Sequence, residues 1–340
     1  MENAGYKVKL GTMTYGKGNG YGKTMGVVVN QPIMDDKLGV RVSYLTEEDP
    51  GYGMVVGRPE IENPLEEKKD TLRVKVAAKP TDKSHIEYTH SEWSTSYMFM
   101  PGTNLVGVSN GRMELQASSW AFALEVFPDG ILRNNYDIEW DTLVVKYDLG
   151  FAEMTYSGGS VAATDRDYNA EDFTFGVVSI TDLPSETDTH EIRFVSTGDG
   201  PLSWIAGAMT VDATTDSNLH YNFMTYGEYS SIGAIHQEQD SIYGELTYAL
   251  SDAVTVFGGL RNHEETRVED IQEAMRNPGD PATGPYTGYM FTDDSTMYEF
   301  DNTSYRVGVE WRPDDSTLYY ASRSSAARMP IPTSAATIAL

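Results

Sequence analysis

Short, mostly acidic turns alternate along this chain with insertions many times longer, and few folds tolerate that asymmetry. The short turns read Met34-Asp35-Asp36-Lys37, Pro80-Thr81-Asp82-Lys83, Asp148-Leu149-Gly150-Phe151, Gly198-Asp199-Gly200-Pro201, Leu250-Ser251-Asp252-Ala253 and Pro313-Asp314-Asp315-Ser316. Between them lie segments of roughly 20 to 45 residues, such as Glu47 to Lys69 and Ser94 to Glu139, far longer than the loops of an ordinary soluble domain. A sheet that crosses a membrane as a closed barrel accommodates this pattern, because its turns are short on one side and long on the other. The expected fold class is therefore all-β: an antiparallel, up-and-down transmembrane β-barrel.

Composition narrows the partners. The 340 residues hold 25 Lys and Arg against 51 Asp and Glu, a net charge of −26. No basic cluster is available to neutralise a phosphate backbone, so nucleic acid is not a partner. Adsorption to anionic lipid through a basic patch is disfavoured for the same reason. The chain has no cysteine, which removes disulfide frameworks, thiol catalysis and Cys-ligated zinc or iron–sulfur centres. The 22 Tyr and 31 Gly suit aromatic girdles and tight hairpins. No run approaches the ~18 consecutive apolar residues of a transmembrane helix, a test that barrel strands never pass. The opening Met1-Glu2-Asn3-Ala4-Gly5-Tyr6 carries neither the basic nor the apolar region of a signal peptide.

Period-2 alternation recurs with little sign of helix. Leu72, Val74, Val76 and Ala78 oppose Arg73, Lys75 and Ala77; Leu38, Val40, Val42 and Tyr44 oppose Gly39, Arg41 and Ser43. Ile242, Gly244, Leu246 and Tyr248 oppose Tyr243, Glu245 and Thr247, and Val307, Val309 and Trp311 oppose Arg306, Gly308, Glu310 and Arg312. About 13 strands are expected, near 5–15, 21–33, 37–47, 70–79, 84–93, 139–148, 151–163, 186–197, 202–213, 237–250, 253–268, 303–312 and 317–323. Long loops then fall at 48–69, 94–138, 164–185, 214–236 and 269–302, with a helical turn around Glu269 to Met275. Alternation alone suits a sandwich as well as a barrel. In a barrel the polar face lines a lumen, which would place Arg41, Arg73, Glu191, Arg193, Glu245, Arg261, Arg306 and Glu310 inside.

Four segments resemble TonB-dependent outer-membrane receptors of Gram-negative bacteria. The stretch Lys23 to Ile33, followed by Asp36-Lys37-Leu38-Gly39-Val40-Arg41, is similar to the family's first barrel strands. His190-Glu191-Ile192-Arg193-Phe194-Val195-Ser196 with Trp204-Ile205-Ala206-Gly207 resembles its "Q-E-L-R-L-x-S … W-x-x-G" hairpin, with His in place of Gln. Tyr243-Gly244-Glu245-Leu246-Thr247-Tyr248 and Gly258-Gly259-Leu260-Arg261 form a third piece; Trp311-Arg312-Pro313-Asp314-Asp315 with Leu318-Tyr319-Tyr320-Ala321-Ser322 forms the last. The resemblance implies a barrel of about 22 strands holding an N-terminal plug. It also implies energised uptake of a scarce solute: a ferric siderophore, haem, cobalamin or a glycan. Residues 1–340 would be a partial barrel of that kind, without plug or C-terminal strands. Its partners would be outer-membrane lipid, the plug and remaining strands, the inner-membrane TonB complex reached through the plug, and a small-molecule or metal-chelate ligand. No cofactor and no enzymatic activity are expected.

Other motifs carry less. The glycine run Gly16 to Gly22 before Lys23 lacks the spacing and the helix of a phosphate-binding loop. Gly107-Val108-Ser109-Asn110-Gly111 matches G-x-S-x-G, but a nucleophile elbow needs a strand before it and a helix after it. The histidines form no H-E-x-x-H pair, and His85 and His90 belong to opposite faces of a strand. The acidic clusters Glu47-Glu48-Asp49, Glu66-Glu67, Asp165/Asp167 and Asp293-Asp294 lack EF-hand spacing and read as solvated charge. The aromatic long segments remain as ligand-contact candidates: Trp120, Phe122 and Phe127 in one, and His220, Tyr221, Tyr226, Tyr229 and His236 in another. Two rival functions stay open, a secreted all-β carbohydrate-active enzyme or binding module, and a passive porin-like barrel.

Overall fold

A computed structural model describes residues 3–16, 20–57, 65–97, 105–109, 112–115, 133–172, 177–222, 228–276 and 290–326. The strands are β1 (Gly5–Met13), β2 (Gly22–Met34), β3 (Leu38–Asp49), β4 (Gly53–Val55), β5 (Glu67–Ala78), β6 (Ser84–Tyr97), β7 (Leu105–Ser109), β8 (Arg112–Leu115), β9 (Asn134–Asp148), β10 (Ala152–Asp172), β11 (Val177–Ser196), β12 (Leu202–Asn222), β13 (Glu228–Ala249), β14 (Val254–Arg276), β15 (Met290–Asp314) and β16 (Thr317–Ser324). Thirteen of them form one antiparallel sheet in chain order, skipping β4, β7 and β8, which make a separate small sheet in the order β4-β8-β7. The expected number of strands and the up-and-down order both hold. Among the described residues the main sheet does not close: β1 and β16 are its two edges.

The six acidic turns sit at one end of the sheet. Their chemistry is local: in the turn after β9, Gly150 takes φ +88°, a left-handed conformation that favours glycine. There its N–H donates to Asp148 Oδ1 at 2.7 Å. The turn after β2 uses Asp36 at φ +55°, a region that Asp tolerates better than most side chains.

At the other end the structure corrects the sequence reading. Much of 164–185, 214–236 and 269–302 is strand, because β10 to β15 run on as hairpins of 20 to 25 residues per strand. The helical turn at Glu269 to Met275 is also strand, paired with β13 on one side and, through Ala274, with β15 on the other. The reason is physical. Close to the turns one face is apolar and the alternation is plain; farther out both faces are polar, so the period-2 signal fades while the backbone ladder continues. The insertions at 48–69 and 94–138 are likewise partly strand, and the two meet where β4 pairs in parallel with β8.

Register divides the sheet into two faces, since directly opposed residues share a side. The outer face near the turns is an exposed apolar band: Ile242, Leu246, Leu260, Val307 and Trp311 are each 48–71% accessible. On β13 the band runs from Ile242 to Tyr248, about 20 Å at ~3.3 Å per residue, close to the ~25 Å belt of outer-membrane barrels. Aromatic rings edge it on the turn side, where Trp311 and Tyr319 stack with centroids 5.3 Å apart. Small polar residues of the inner face, such as Ser91, Thr155 and Ser241, are buried beneath larger neighbours.

Candidate functional site

Register places Arg41, Arg73, Glu191, Arg193, Glu245, Arg261, Arg306 and Glu310 on one face of the sheet. Arg193 pairs with Gly207, Gly207 with Tyr243, Tyr243 with Arg261, and Arg261 with Ser304. One register step away, Glu245 pairs with Gly259 and Gly259 with Arg306, while Glu191 lies two residues from Arg193 and Glu310 four from Arg306. Arg73 pairs with Ser91, which pairs with Trp140, and the same rows carry Arg41 two residues from Ser43.

Several of these side chains reach across strands. Tyr243 on β13 donates to Glu191 Oε1 on β11 at 2.6 Å, spanning β12. It can do so because the intervening residue is Gly207: a Cβ there would lie 2.5 Å from the Tyr243 Oη and 2.6 Å from Cζ. Arg261 Nη2 donates to Ser241 Oγ at 2.9 Å, and Ser241 Oγ in turn meets His263 Nδ1 at 2.9 Å. His263 Nε2 lies 3.2 Å from Glu265, whose other oxygen accepts from Gln237 at 2.6 Å. Arg306 packs its guanidinium 4.6 Å from the Phe257 ring centre, and Arg73 lies 6.0 Å from the Trp140 ring while donating to Ser91 at 3.1 Å. The result is an open recess of about 540 Å³ lined by Glu191, Met209, Tyr243, Glu245, Arg261 and Arg306.

Farther from the turns the same face becomes acidic and aromatic. Tyr229 donates to Glu273 at 2.6 Å, and its ring lies 6.1 Å from Tyr221; burial and that carboxylate push the Tyr229 hydroxyl above its ordinary pKa. Burial, followed by repulsion from Asp165, pushes the Asp167 carboxyl up. Trp93 and Tyr136 pack with centroids 5.3 Å apart. Of the expected clusters, Glu47 pairs with Lys9 at 3.1 Å and Glu67 with Lys69 at 2.7 Å, so part of that charge is neutralised locally.

The proposed contact sets fare differently. Trp120, Phe122, Phe127 and Tyr226 lie outside the described residues. Tyr221 and Tyr229 oppose each other on the inner face, whereas His220 and His236 occupy the alternate positions of β12 and β13 and so belong to the outer face. The histidines and tyrosines of that segment therefore do not form one set, as a shared flexible loop would have allowed. The G-x-S-x-G serine ends β7, and the next described element is β8, a strand paired antiparallel with it. Tyr243, Ser241, Gln237 and His263 join the charged residues on this face, and for Tyr243 the sequence signal is the glycine opposite it, Gly207. Among the described residues, both groupings of three His, Asp and Glu side chains close enough to share a metal ion lie on the outer face.

Comparison with known proteins places this architecture. The TonB-dependent receptor-like β-barrel family matches residues 83–339. The pesticin receptor of Yersinia enterocolitica is 25% identical over 160 aligned positions, covering 38% of this chain and 24% of that one. The ferric yersiniabactin uptake receptor FyuA from Yersinia pestis superposes with a TM-score of 0.65 at 16% identity, over 89% of this chain and 44% of the other. The ferric-catecholate import receptor Fiu of E. coli gives 0.62 at 12% identity, over 95% and 54%. The chain thus spans about half the length of these structures and a quarter of the curated relative. With three quarters of its length matched and its two-faced antiparallel sheet in the same arrangement, the chain belongs to the TonB-dependent receptors, in their β-barrel domain.

Proposed function

We propose that this chain supplies one half of the barrel wall of an outer-membrane receptor for energised uptake of a metal chelate, a siderophore complex foremost. The observation that supports this most is the division of one continuous sheet into an apolar outer band and a charged, tyrosine-bearing inner face. Two of its structural relatives are named for uptake of iron chelates, and the same substrate class is assigned here. In this reading residues 1–340 are a partial barrel. The open edges of β1 and β16 pair with further strands, since a lipid-exposed edge would leave a row of backbone groups unsatisfied. The recess beside Tyr243 and Arg261 is where a plug packs against the wall, and that plug carries the link to the inner-membrane TonB complex. The upper inner face, with Tyr221 and Tyr229, and the aromatic segment around Trp120, Phe122 and Phe127 meet the ligand. Binding and plug rearrangement do the work, with no bond chemistry and no resident cofactor.

The test is expression of this chain joined to the strands and plug that complete the barrel. It should fractionate with outer membranes, show a heat-modifiable band and restore growth on a ferric chelate in a strain lacking its own receptors. Recovery of the chain alone as a water-soluble monomer with a closed fold, or hydrolysis of a glycan by it, would overturn the reading.

A further inference from the structure

Four of the six histidines carry a glutamate two residues on: His85 and Glu87, His90 and Glu92, His236 and Glu238, His263 and Glu265. On a strand such a pair shares a face, so what distinguishes the four is the strand opposite. His85 faces Lys146, and its Glu87 is held by Lys75 at 2.5 Å. His263 faces Ser241 and has one carboxylate beside it. His236 faces Thr214, and its two nearest carboxylates sit at different nitrogens: Glu238 3.3 Å from Nε2, Asp212 3.8 Å from Nδ1.

His90 alone turns one nitrogen toward two carboxylates. Its Nδ1 lies 3.0 Å from Asp141 Oδ1 and 4.0 Å from Glu139 Oε1, both on β9, the strand paired with its own. Its other nitrogen, Nε2, lies 3.0 Å from Glu92 Oε1. We propose that His90 Nδ1, Asp141 and Glu139 form a divalent transition-metal site, with Glu92 holding the imidazole in the required tautomer. Zinc bonds of about 2.0–2.2 Å in tetrahedral array set donors roughly 3.3 Å apart; here Nδ1 stands 3.0 and 4.0 Å from the two carboxylates, and the three donors lie within 4.8 Å of one another. Three protein ligands leave a fourth position open. A carboxylate on the far nitrogen of a metal-bound histidine is the usual orienting partner, and its loss costs about 10–100-fold in affinity.

The setting favours a cation. The cross-strand row through His90 continues Asp141, Ser160, Asp188, Asp212, Glu238, Thr266 and Glu299, with no lysine or arginine among them. Tyr88, one position nearer the turns on the same face, donates to Asp141 and fixes that carboxylate. The imidazole is about one-fifth exposed and the Glu139 side chain over half, so an ion can enter from outside. A bound ion would join β6 to β9, the two strands that flank the insertion at 98–133.

Isothermal titration of the folded protein in detergent with Zn²⁺ tests this. One ion should bind in a form that His90→Ala and Asp141→Asn each weaken by at least tenfold, and Glu92→Gln by about 10–100-fold. His85→Ala and His263→Ala should leave binding unchanged. On the unmutated protein, X-ray absorption of the bound zinc should show one imidazole among oxygen ligands, a reading that does not depend on any variant folding. An all-oxygen shell, uptake indifferent to His90→Ala, or equal displacement by Mg²⁺ at the same concentration would show a diffuse acidic surface and overturn the proposal.

Discussion

Ile242 and Glu238 lie four residues apart on the same face of β13, inside one unbroken ladder with β12 and β14. Around Ile242 the outer face is apolar and exposed for about 20 Å along each strand. Around Glu238 it is acidic, from Asp141 through Asp188 and Asp212 to Glu299. The pairing register of β13 with β12 and β14 runs unbroken through both regions. What changes is the medium the side chains are matched to, hydrocarbon near the turns and water or headgroups beyond. The upper hairpins thus continue the ladder of the apolar band, with exposed polar cross-strand pairs such as Arg166 to Asp182 at 2.8 Å adding little.

A charge placed in each region tests this division most severely. Leu246→Arg puts a guanidinium in the middle of the apolar band and should destabilise the barrel in lipid by about 2–4 kcal/mol, whereas Glu238→Arg, on the same face of the same strand, should cost about 0–1 kcal/mol. Urea titration in phospholipid vesicles measures both. Equal costs would mean that the outer face meets one medium along its whole length.

The inner face near the turns gives the next largest effect. Gly207→Ala drives a methyl into the Tyr243 ring and also lies 2.9 Å from the backbone oxygen of Ile192, so the phenol must leave Glu191. Losing a hydrogen bond to a charged acceptor costs about 1.5–3 kcal/mol. Tyr243→Phe should reproduce most of that, and the double variant should cost little more than Gly207→Ala alone, because both remove one interaction. Additive costs would show that the Tyr243–Glu191 bond is not what Gly207 protects.

The same contrast explains what the sequence disclosed. Near the turns, Leu72 to Ala78 and Ile242 to Tyr248 alternate cleanly, so the strands and their two faces are legible there. Above the band Thr214, Thr215, Asp216, Ser217 and Asn218 are polar on both sides of β12, and a period carried by hydrophobicity cannot be read where hydrophobicity is absent. Hence 164–185, 214–236 and 269–302 look like loops in the sequence although much of each is strand. The same loss of signal hides the separation of His220 and His236 from Tyr221 and Tyr229: in a loop proximity in sequence suffices, while in a strand parity decides the side. The Tyr243–Glu191 bond was hidden differently, because it joins residues 52 apart across an intervening strand.

Two carboxylates at opposite ends of the sheet give the smallest effects, with opposite signs. Asp167 has its folded pKa raised by burial and then by Asp165, so the folded state favours the protonated form. That advantage is present below the ordinary carboxylate pKa and is lost as pH rises through the folded value. Asp167→Asn should therefore raise stability slightly at pH 7 and converge with the unmutated protein in acid. Asp314, in the last short turn, is the reverse case. The Ser316 hydroxyl donates to it at 2.7 Å and the Ser316 N–H at 2.9 Å, and these bonds hold its folded pKa below the ordinary value. Its contribution is present above that value and disappears as pH falls through the folded one. Asp314→Ala should then lower amide-exchange protection at Ser316 near neutral pH and have no effect at the acid end. The loss should stay confined to this turn, because the carboxylate is fully solvated and its bonds anchor two residues of a hairpin whose ladder is held elsewhere. Protection that falls equally along β15 and β16 would show that the short turns set the register of the long hairpins rather than follow it.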